Sequence, residues 1–199
     1  MKKKFFTLVI SMICAAMCVI TYAAETNARL SRDIVRLHII ANSDSDEDQA
    51  LKLRIRDRIL SATSASGSKE NVTELLSEYE DIAREEIAAS GFDYTVHAEY
   101  GKYYFPTKDY GGLTYPAGEY DAVRIVIGEG EGQNWWCVLF PPLCYVKGSV
   151  DSSEAAAELK NRLSPEDYEL ITSGKNSRLP VKIRFKLVEL INSIGKEKN

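Results

Sequence analysis

The chain has 199 residues and a formal net charge of −4, with 25 basic and 29 acidic side chains. Near this length one hydrophobic core buries about 70% of the surface of the unfolded chain, and we therefore expect one domain. Nucleic acid is excluded as a partner on charge, because a phosphate backbone needs a net basic face on the protein.

The first segment has the pattern of a secretory signal peptide. Three lysines at positions 2–4 precede an apolar run over residues 5–20, and the small residues Thr21 and Ala23 stand where a signal peptidase reads them. We expect a signal over residues 1–23, whose removal leaves 22 basic and 29 acidic residues and a net charge of −7. The alternative is an uncleaved anchor, because the run is about long enough to cross a bilayer of roughly 30 Å.

A spacer, a strand and a helix are predicted next along the chain. Residues 24–32 are polar, and we expect a short spacer there. The branched residues over 34–40 predict a strand. Ser45 and Asp48 have the spacing of a helix capping box, and we predict a helix from this turn to about Thr63.

A second helix follows a Ser/Gly-rich break. Apolar residues recur at helical spacing from Val72 to Ile87, and Gly91 is expected to end the helix. Three more helical patterns close the chain, over residues 154–163, 165–172 and 181–194.

Three further strands complete the predicted sheet, over residues 94–98, 122–127 and 135–140. The glycine-rich segment 128–132 is predicted to be a hairpin loop between the last two strands, because glycine supplies positive φ angles. These elements predict an α+β fold, in which a mainly antiparallel sheet with helices packed on it forms a single domain over residues 33–195.

Tyrosines crowd the segment 100–120, which glycine and proline interrupt too often for us to predict regular structure there. A tyrosine-rich loop is either a recognition surface for a protein or a cell-wall glycan, or a loop folded down on its own aromatic rings. We place the hypothetical partner contacts in this loop and in the turn after the first strand. The residues are Asn42, Ser43, Asp44, Tyr103, Tyr104, Phe105 and Tyr110.

Two cysteines remain after removal of the signal, Cys137 and Cys144, with two prolines between them. The prolines favour a turn that brings the two thiols together in a disulfide. The alternative is a pair of small buried thiols without a bond.

No catalytic or metal-binding set is recognisable. His38 and His97 lie in strand patterns outside any metal-ligand spacing, and we expect each to be a packed or surface histidine. The aspartates at positions 44, 46 and 48 imitate the start of a calcium loop, but the glycine and glutamate that such a loop needs are absent. We expect no enzymatic activity, no metal, no cofactor and no small-molecule substrate.

Several longer motifs are specific enough to resemble a known family, that of stage II sporulation protein R. They are RLHIIANSDS over 36–45, EDQALK over 47–52, YFPTK over 104–108, PAGEY over 116–120, and GEG over 128–130 leading to NWWCVLFPPLC over 134–144. The resemblance covers nearly the whole chain after the signal.

The resemblance implies a signalling protein of endospore formation, secreted across the forespore membrane into the space between forespore and mother cell. It implies as partner the extracytoplasmic part of a membrane-embedded aspartic protease, which then processes the precursor of the mother-cell sigma factor. The alternative function is a peptidoglycan-directed binder or hydrolase in the same space. A third possibility, a membrane-tethered scaffold, depends on whether the signal is cut.

Overall fold

The structure, a computed structural model, describes residues 2–66, 71–110, 113–141, 159–161 and 163–172. Its helices are α1 (Lys2–Asp33), α2 (Asp46–Ser66), α3 (Leu76–Ala89) and α4 (Pro165–Thr172). Its strands are β1 (Val35–Ile40), β2 (Val96–Phe105), β3 (Lys108–Tyr110), β4 (Leu113–Tyr115), β5 (Gly118–Ile127) and β6 (Asn134–Phe140). The predicted helix over 181–194 lies outside the described residues.

Four strands in the described part of the chain form one sheet in the order β2-β5-β1-β6. β1 is antiparallel to β6 and β2 is antiparallel to β5, but β1 and β5 run parallel at the centre of the sheet. The α+β prediction is confirmed, and the expectation of a mainly antiparallel sheet is corrected to a mixed sheet. The parallel pair is possible because α2, α3 and β2 lie between its strands in the chain and provide a long crossover.

The predicted hairpin between β5 and β6 is wrong, because β1 lies between these two strands. Residues 128–133 instead cross the end of β1, where the Gly132 amide donates to the Ala41 carbonyl at 2.9 Å. The glycine expectation itself is confirmed, since Gly128 and Gly130 have φ angles of +56° and +66°. The local sequence predicts the conformation of this loop, but it does not predict that β1 lies between β5 and β6.

The prediction of an irregular tyrosine-rich loop is also wrong. β2 continues to Phe105, β5 begins at Gly118, and the two pair over their full length, with Tyr103 opposite Tyr120. Tyrosine suits a pleated, half-buried surface, and the ladder satisfies the backbone groups that a loop would leave to solvent. The remaining residues of the segment include the short β3–β4 ribbon.

The helix signals of the sequence are largely confirmed. The Ser45 hydroxyl accepts from the Asp48 amide at 3.2 Å and caps α2, although the Asp48 carboxylate turns back to Ser43 and does not complete a capping box. α3 begins four residues later than predicted, at Leu76, after a turn. Gly91 follows α3 with a φ angle of +80°, in agreement with its predicted role as a helix stop.

The sheet is buried on both faces, by different elements. One face packs against α2 and α3, and its buried cluster includes Leu37, Ile39, Leu51, Ile55, Ile59, Tyr79, Ala83, Ile87, Val123, Ile125, Ile127 and Leu139. The opposite face packs against the end of α1, the β3–β4 ribbon and α4, and its cluster includes Leu30, Ile34, Phe105, Leu113, Tyr115, Tyr120, Val138, Leu159, Leu163 and Ile171.

The predicted spacer over 24–32 is helical, because α1 continues unbroken to Asp33. Leu30 and Ile34 are completely buried in the second cluster, and Arg29 pairs with Asp167 at 3.1 Å. The end of α1 is therefore part of the folded domain. Farther toward the N-terminus the apolar side chains of α1 are exposed, including Phe5, Phe6, Leu8, Met12, Ile13 and Met17. A search of the described helices found none that is long and apolar enough to cross a bilayer.

Candidate functional site

One row of residues crosses all four strands of the sheet. Glu99 on β2 lies opposite Arg124 on β5. Arg124 lies beside His38 on β1, and His38 lies opposite Trp136 on β6. Because side chains alternate along a strand, these residues share one face with Arg36, two positions before His38. We call this surface the polar face; it is the face opposite α2 and α3.

An ion pair forms the exposed part of the row. The Arg124 Nε donates to Glu99 Oε1 at 2.6 Å, and the Tyr103 ring centroid lies 4.6 Å from the Arg124 guanidinium carbon. Burial raises the pKa of Glu99, but hydrogen bonds from Arg124 and Tyr103 outweigh it and hold that pKa below its usual value. All three side chains keep part of their surface in solvent. Arginine and tyrosine held rigidly at a surface are typical anchors of protein interfaces.

His38 occupies the inner part of the row. Its ring stacks on Trp136 with centroids 3.7 Å apart, and its Nε2 lies 2.6 Å from Asn134 Oδ1. Because that amide oxygen can only accept, the ring proton is assigned to Nε2. Burial and the nearby charge of Arg124 lower the pKa of His38 to about 4, although the bond to Asn134 opposes them. The ring is therefore neutral at pH 7 and supports Trp136 as a packing surface.

Next to His38 lies a buried guanidinium enclosed by aromatic rings. The side chain of Arg36 is completely buried; its Nε donates to the Cys137 carbonyl at 3.0 Å and its Nη2 donates to Tyr110 Oη at 2.9 Å. We call this group the arginine cage. The ring centroids that lie near the guanidinium carbon belong to Phe105 at 4.4 Å, Tyr120 at 5.0 Å, Tyr115 at 5.6 Å and Tyr110 at 5.7 Å.

The predicted contact turn after β1 is held by bonds within the domain. Asn42 Oδ1 accepts from the Glu129 amide at 3.0 Å, and Asp44 Oδ1 accepts from the Gln133 amide at 2.7 Å. These two bonds attach the turn to the loop over 128–133. The side chains of the turn therefore position the end of β1 against this loop.

The buried carboxylate of Asp48 holds the other side of the turn. Its Oδ2 accepts from Ser43 Oγ at 2.6 Å and from Asn42 Nδ2 at 2.9 Å. Burial raises the pKa of Asp48, but these bonds and one from Tyr94 outweigh it and lower the pKa. A β-carbon on Gly132 would collide with the Ser43 carbonyl oxygen, so the close approach of turn and loop requires glycine there.

The predicted partner residues fall into two groups at opposite ends of the sheet. Asn42, Ser43 and Asp44 follow the last row of β1, whereas Tyr103 pairs with Tyr120 beyond the first row. The structure therefore does not bring the two groups together. Phe105 is completely buried and belongs to the arginine cage, and Tyr110 is its partly exposed member. Tyr104 is partly exposed on β2.

Sequence reasoning did not single out Arg36, Glu99 or Arg124. The signal for Arg36 was available, because a charged residue alternates with Leu37 and Ile39 in a strand of otherwise buried residues. No local sequence pattern indicates Glu99 and Arg124, since their pairing depends on the register between β2 and β5.

Cys137 is disulfide-bonded, and Cys14 and Cys18 are free. Cys144, the predicted disulfide partner of Cys137, lies outside the described residues.

Among the described residues, no group of three or more histidine, cysteine, aspartate or glutamate side chains is arranged to hold a metal ion.

Comparison with known proteins adds a family match. The family described as stage II sporulation protein R matches residues 31–150. The chain is 42% identical over 136 residues to the stage II sporulation protein R of Bacillus subtilis strain 168. That alignment covers 64% of this chain and 60% of the relative. No solved structure matches the chain.

Proposed function

The chain belongs to the stage II sporulation protein R family, which supports a role in sporulation, and from this premise we propose that it is a secreted forespore-to-mother-cell signal. In this proposal the domain crosses the forespore membrane and binds the extracytoplasmic part of a membrane-embedded aspartic protease. The activated protease then processes the precursor of the mother-cell sigma factor. The family match over residues 31–150 is the observation that carries the proposal.

Export is supported by the first part of α1. Large apolar side chains in this part are exposed, with Phe5 at 70% and Phe6 at 66% of their surface in solvent. A helix with this apolar surface, preceded by lysines, suits the secretory machinery better than a folded core. Among the side chains whose burial the structure describes, Leu30 is the first that is completely buried, and cleavage after Ala23 would retain it in the domain.

In this proposal the secreted domain is a ligand of the protease, and it activates the protease by binding the active state more tightly than the inactive state. A ligand shifts the equilibrium between inactive and active protease only by the difference in its affinity for the two states. The signal therefore has to contact a surface that the protease presents, or completes, in its active state.

We place this contact on the exposed part of the polar face, around Tyr103, Arg124 and Trp136. The three side chains are partly exposed, and Trp, Tyr and Arg are the residue types that dominate interface energies. Arg124 is held by Glu99, and Trp136 rests on His38, so little side-chain freedom is lost on binding. The turn at Asn42–Asp44 is assigned a positioning role, because its side chains are bonded within the domain.

The test is reconstitution in a host that makes none of the components. The protein is co-produced, with and without residues 1–23, together with the membrane protease and the sigma-factor precursor, and precursor cleavage is followed. We expect cleavage that requires both this protein and its export. Absence of cleavage with all three components present, and the protease inserted, would contradict the proposal.

The contact surface is tested in the same system by Arg124→Ala and Tyr103→Ala. We expect each to reduce the cleavage rate at least tenfold. Lys102→Ala is the matched control. Lys102 lies on β2, as Tyr103 does, and forms an ion pair with Asp121 at 2.9 Å, but its side chain points to the other face of the sheet. If precursor cleavage with Arg124→Ala and Tyr103→Ala is as fast as with Lys102→Ala, the polar face does not contact the protease.

A further inference from the structure

Arg36 is a buried cation whose hydrogen bonds are incomplete. Its Nη1 is buried, and among the described residues it has no hydrogen-bond partner and no carboxylate pairs with the guanidinium. The two acceptors that it does have, the Cys137 carbonyl and Tyr110 Oη, are neutral. Aromatic rings attract a cation, but they accept no strong hydrogen bond from Nη1.

A second unpartnered donor lies in the same cage. The Tyr115 hydroxyl is buried without a hydrogen-bond partner in the described part of the chain, and the Tyr115 ring centroid is 5.6 Å from the Arg36 guanidinium carbon. Buried polar groups without partners are rare in folded proteins, and two in one cage require an explanation. Both can donate a proton, so the missing group is an acceptor.

We propose that the arginine cage binds a carboxylate, to which Arg36 Nη1 and the Tyr115 hydroxyl both donate. A carboxylate supplies two acceptor oxygens and the negative charge that Arg36 lacks, and guanidinium–carboxylate hydrogen bonds are stronger than neutral ones. The chemistry of the site therefore selects a carboxylate over a neutral acceptor.

The carboxylate approaches from the Tyr110 side of the cage. Phe105, Tyr115 and Tyr120 are completely buried, whereas Tyr110 is partly exposed. The Tyr110 hydroxyl also donates to the Trp136 carbonyl at 3.1 Å, which ties this entrance to β6.

The probe is acetate, which is titrated into the protein without residues 1–23, here called the signal-free protein. A parallel titration with sodium chloride at equal ionic strength is the control. The readout is the side-chain ¹⁵N resonance of each arginine. We expect a saturable shift for Arg36 and none for Arg124, which is already paired with Glu99. A crystal structure from acetate solution should show the carboxylate at Nη1. No acetate-specific shift of Arg36, or only water at Nη1, would overturn the proposal.

Matched variants within the cage separate binding from folding. Tyr115→Phe removes the unpartnered hydroxyl, keeps the ring, and should weaken acetate binding about tenfold without loss of stability. Tyr100→Phe is the control, because Tyr100 packs against the apolar cluster on the other face of the sheet and its hydroxyl is not part of the cage. Equal acetate affinity in the wild type and Tyr115→Phe would contradict the two-donor site.

A free small carboxylate and an acidic side chain of a protein partner share this chemistry. The reconstituted cleavage system distinguishes the two sources. Tyr115→Phe lowers cleavage where the partner supplies the carboxylate, and leaves cleavage unchanged where a free ligand does. The acetate titration uses the isolated protein, so its result is independent of the proposed signalling role.

Discussion

The two faces of the central sheet differ most clearly along β1. Leu37 and Ile39 point to the α2 and α3 side, where they join a buried cluster of apolar and aromatic side chains. Arg36 and His38 alternate with them and point to the polar face, where each has a buried nitrogen without a hydrogen-bond partner. One six-residue strand therefore supports a conventional core on one side and an incompletely satisfied polar layer on the other.

This difference separates stability from recognition. Burial of apolar side chains stabilises the first face in proportion to the area removed from water. On the polar face, desolvation of Arg36 and His38 costs free energy, which aromatic rings and a few hydrogen bonds only partly offset. A costly polar layer beside a partly exposed Arg–Tyr–Trp surface is more easily explained by binding than by folding.

The largest effect is expected on the apolar face. Leu37→Ala removes a completely buried side chain from the centre of the sheet and leaves a cavity. We expect the free energy of unfolding to fall by about 2–5 kcal/mol. Urea denaturation of the signal-free protein measures it, and a loss as small as that of an exposed residue would show that this face is not the main source of stability.

The polar face should contribute a pH dependence of stability through His38. The pKa of His38 falls from 6.5 in the unfolded chain to about 4 in the folded one, chiefly through burial. The unfolded chain thus binds the proton first, so stability is complete above pH 6.5 and declines as pH falls toward 4. With allowance for solvent screening, we expect His38 to contribute about 1–3 kcal/mol to this decline.

His38→Gln should flatten the pH dependence of unfolding between pH 6.5 and 4. His97→Gln is the comparison variant, because it removes the other histidine of the chain, which is exposed on β2 with its Nδ1 3.1 Å from Glu80 Oε1. If the pH dependence of unfolding disappears in His97→Gln and persists in His38→Gln, it belongs to His97 and the assignment to His38 is wrong.

A third, smaller effect is expected from Arg36→Met, which keeps the approximate length of the side chain. The substitution removes two hydrogen bonds, worth about 1 kcal/mol each, and the interaction with the aromatic rings. It also removes a desolvated charge, and apolar replacement of buried ions is often neutral or stabilising. We expect a net change below about 2 kcal/mol in urea denaturation, and a loss that exceeds that of Leu37→Ala would refute the contrast between the faces.

The sequence predicts the parts of this contrast that depend on local pattern. The alternation of Leu37 with Ile39 predicts β1, Ser45 predicts the start of α2, and Gly91 predicts the end of α3. The errors concern pairing between distant segments. No local pattern indicates that β1 enters between β5 and β6, or that Tyr103 pairs with Tyr120.

The candidate site depends on the same distant pairings. Tyr103 was singled out for its residue type, but its place over Arg124 follows from the register of β2 and β5. Phe105 is predicted to belong to the same contact surface and shares the sheet face of Tyr103, yet its packing against Trp136 and the other rings buries it in the cage. Residue type identifies aromatic candidates, and only topology separates the exposed ones from the buried ones.

The smallest effect on stability is expected from Arg124→Ala, although we expect it to reduce signalling strongly. Partly exposed ion pairs contribute about 0–1 kcal/mol, and the contact with Tyr103 adds a similar amount. Lys102→Ala should cost as little and leave signalling intact. Urea denaturation of both variants, beside the precursor-cleavage assay, therefore separates the two roles. A large loss of stability in Arg124→Ala would mean that the exposed polar face holds the fold together, and reduced cleavage could then no longer be assigned to lost contact.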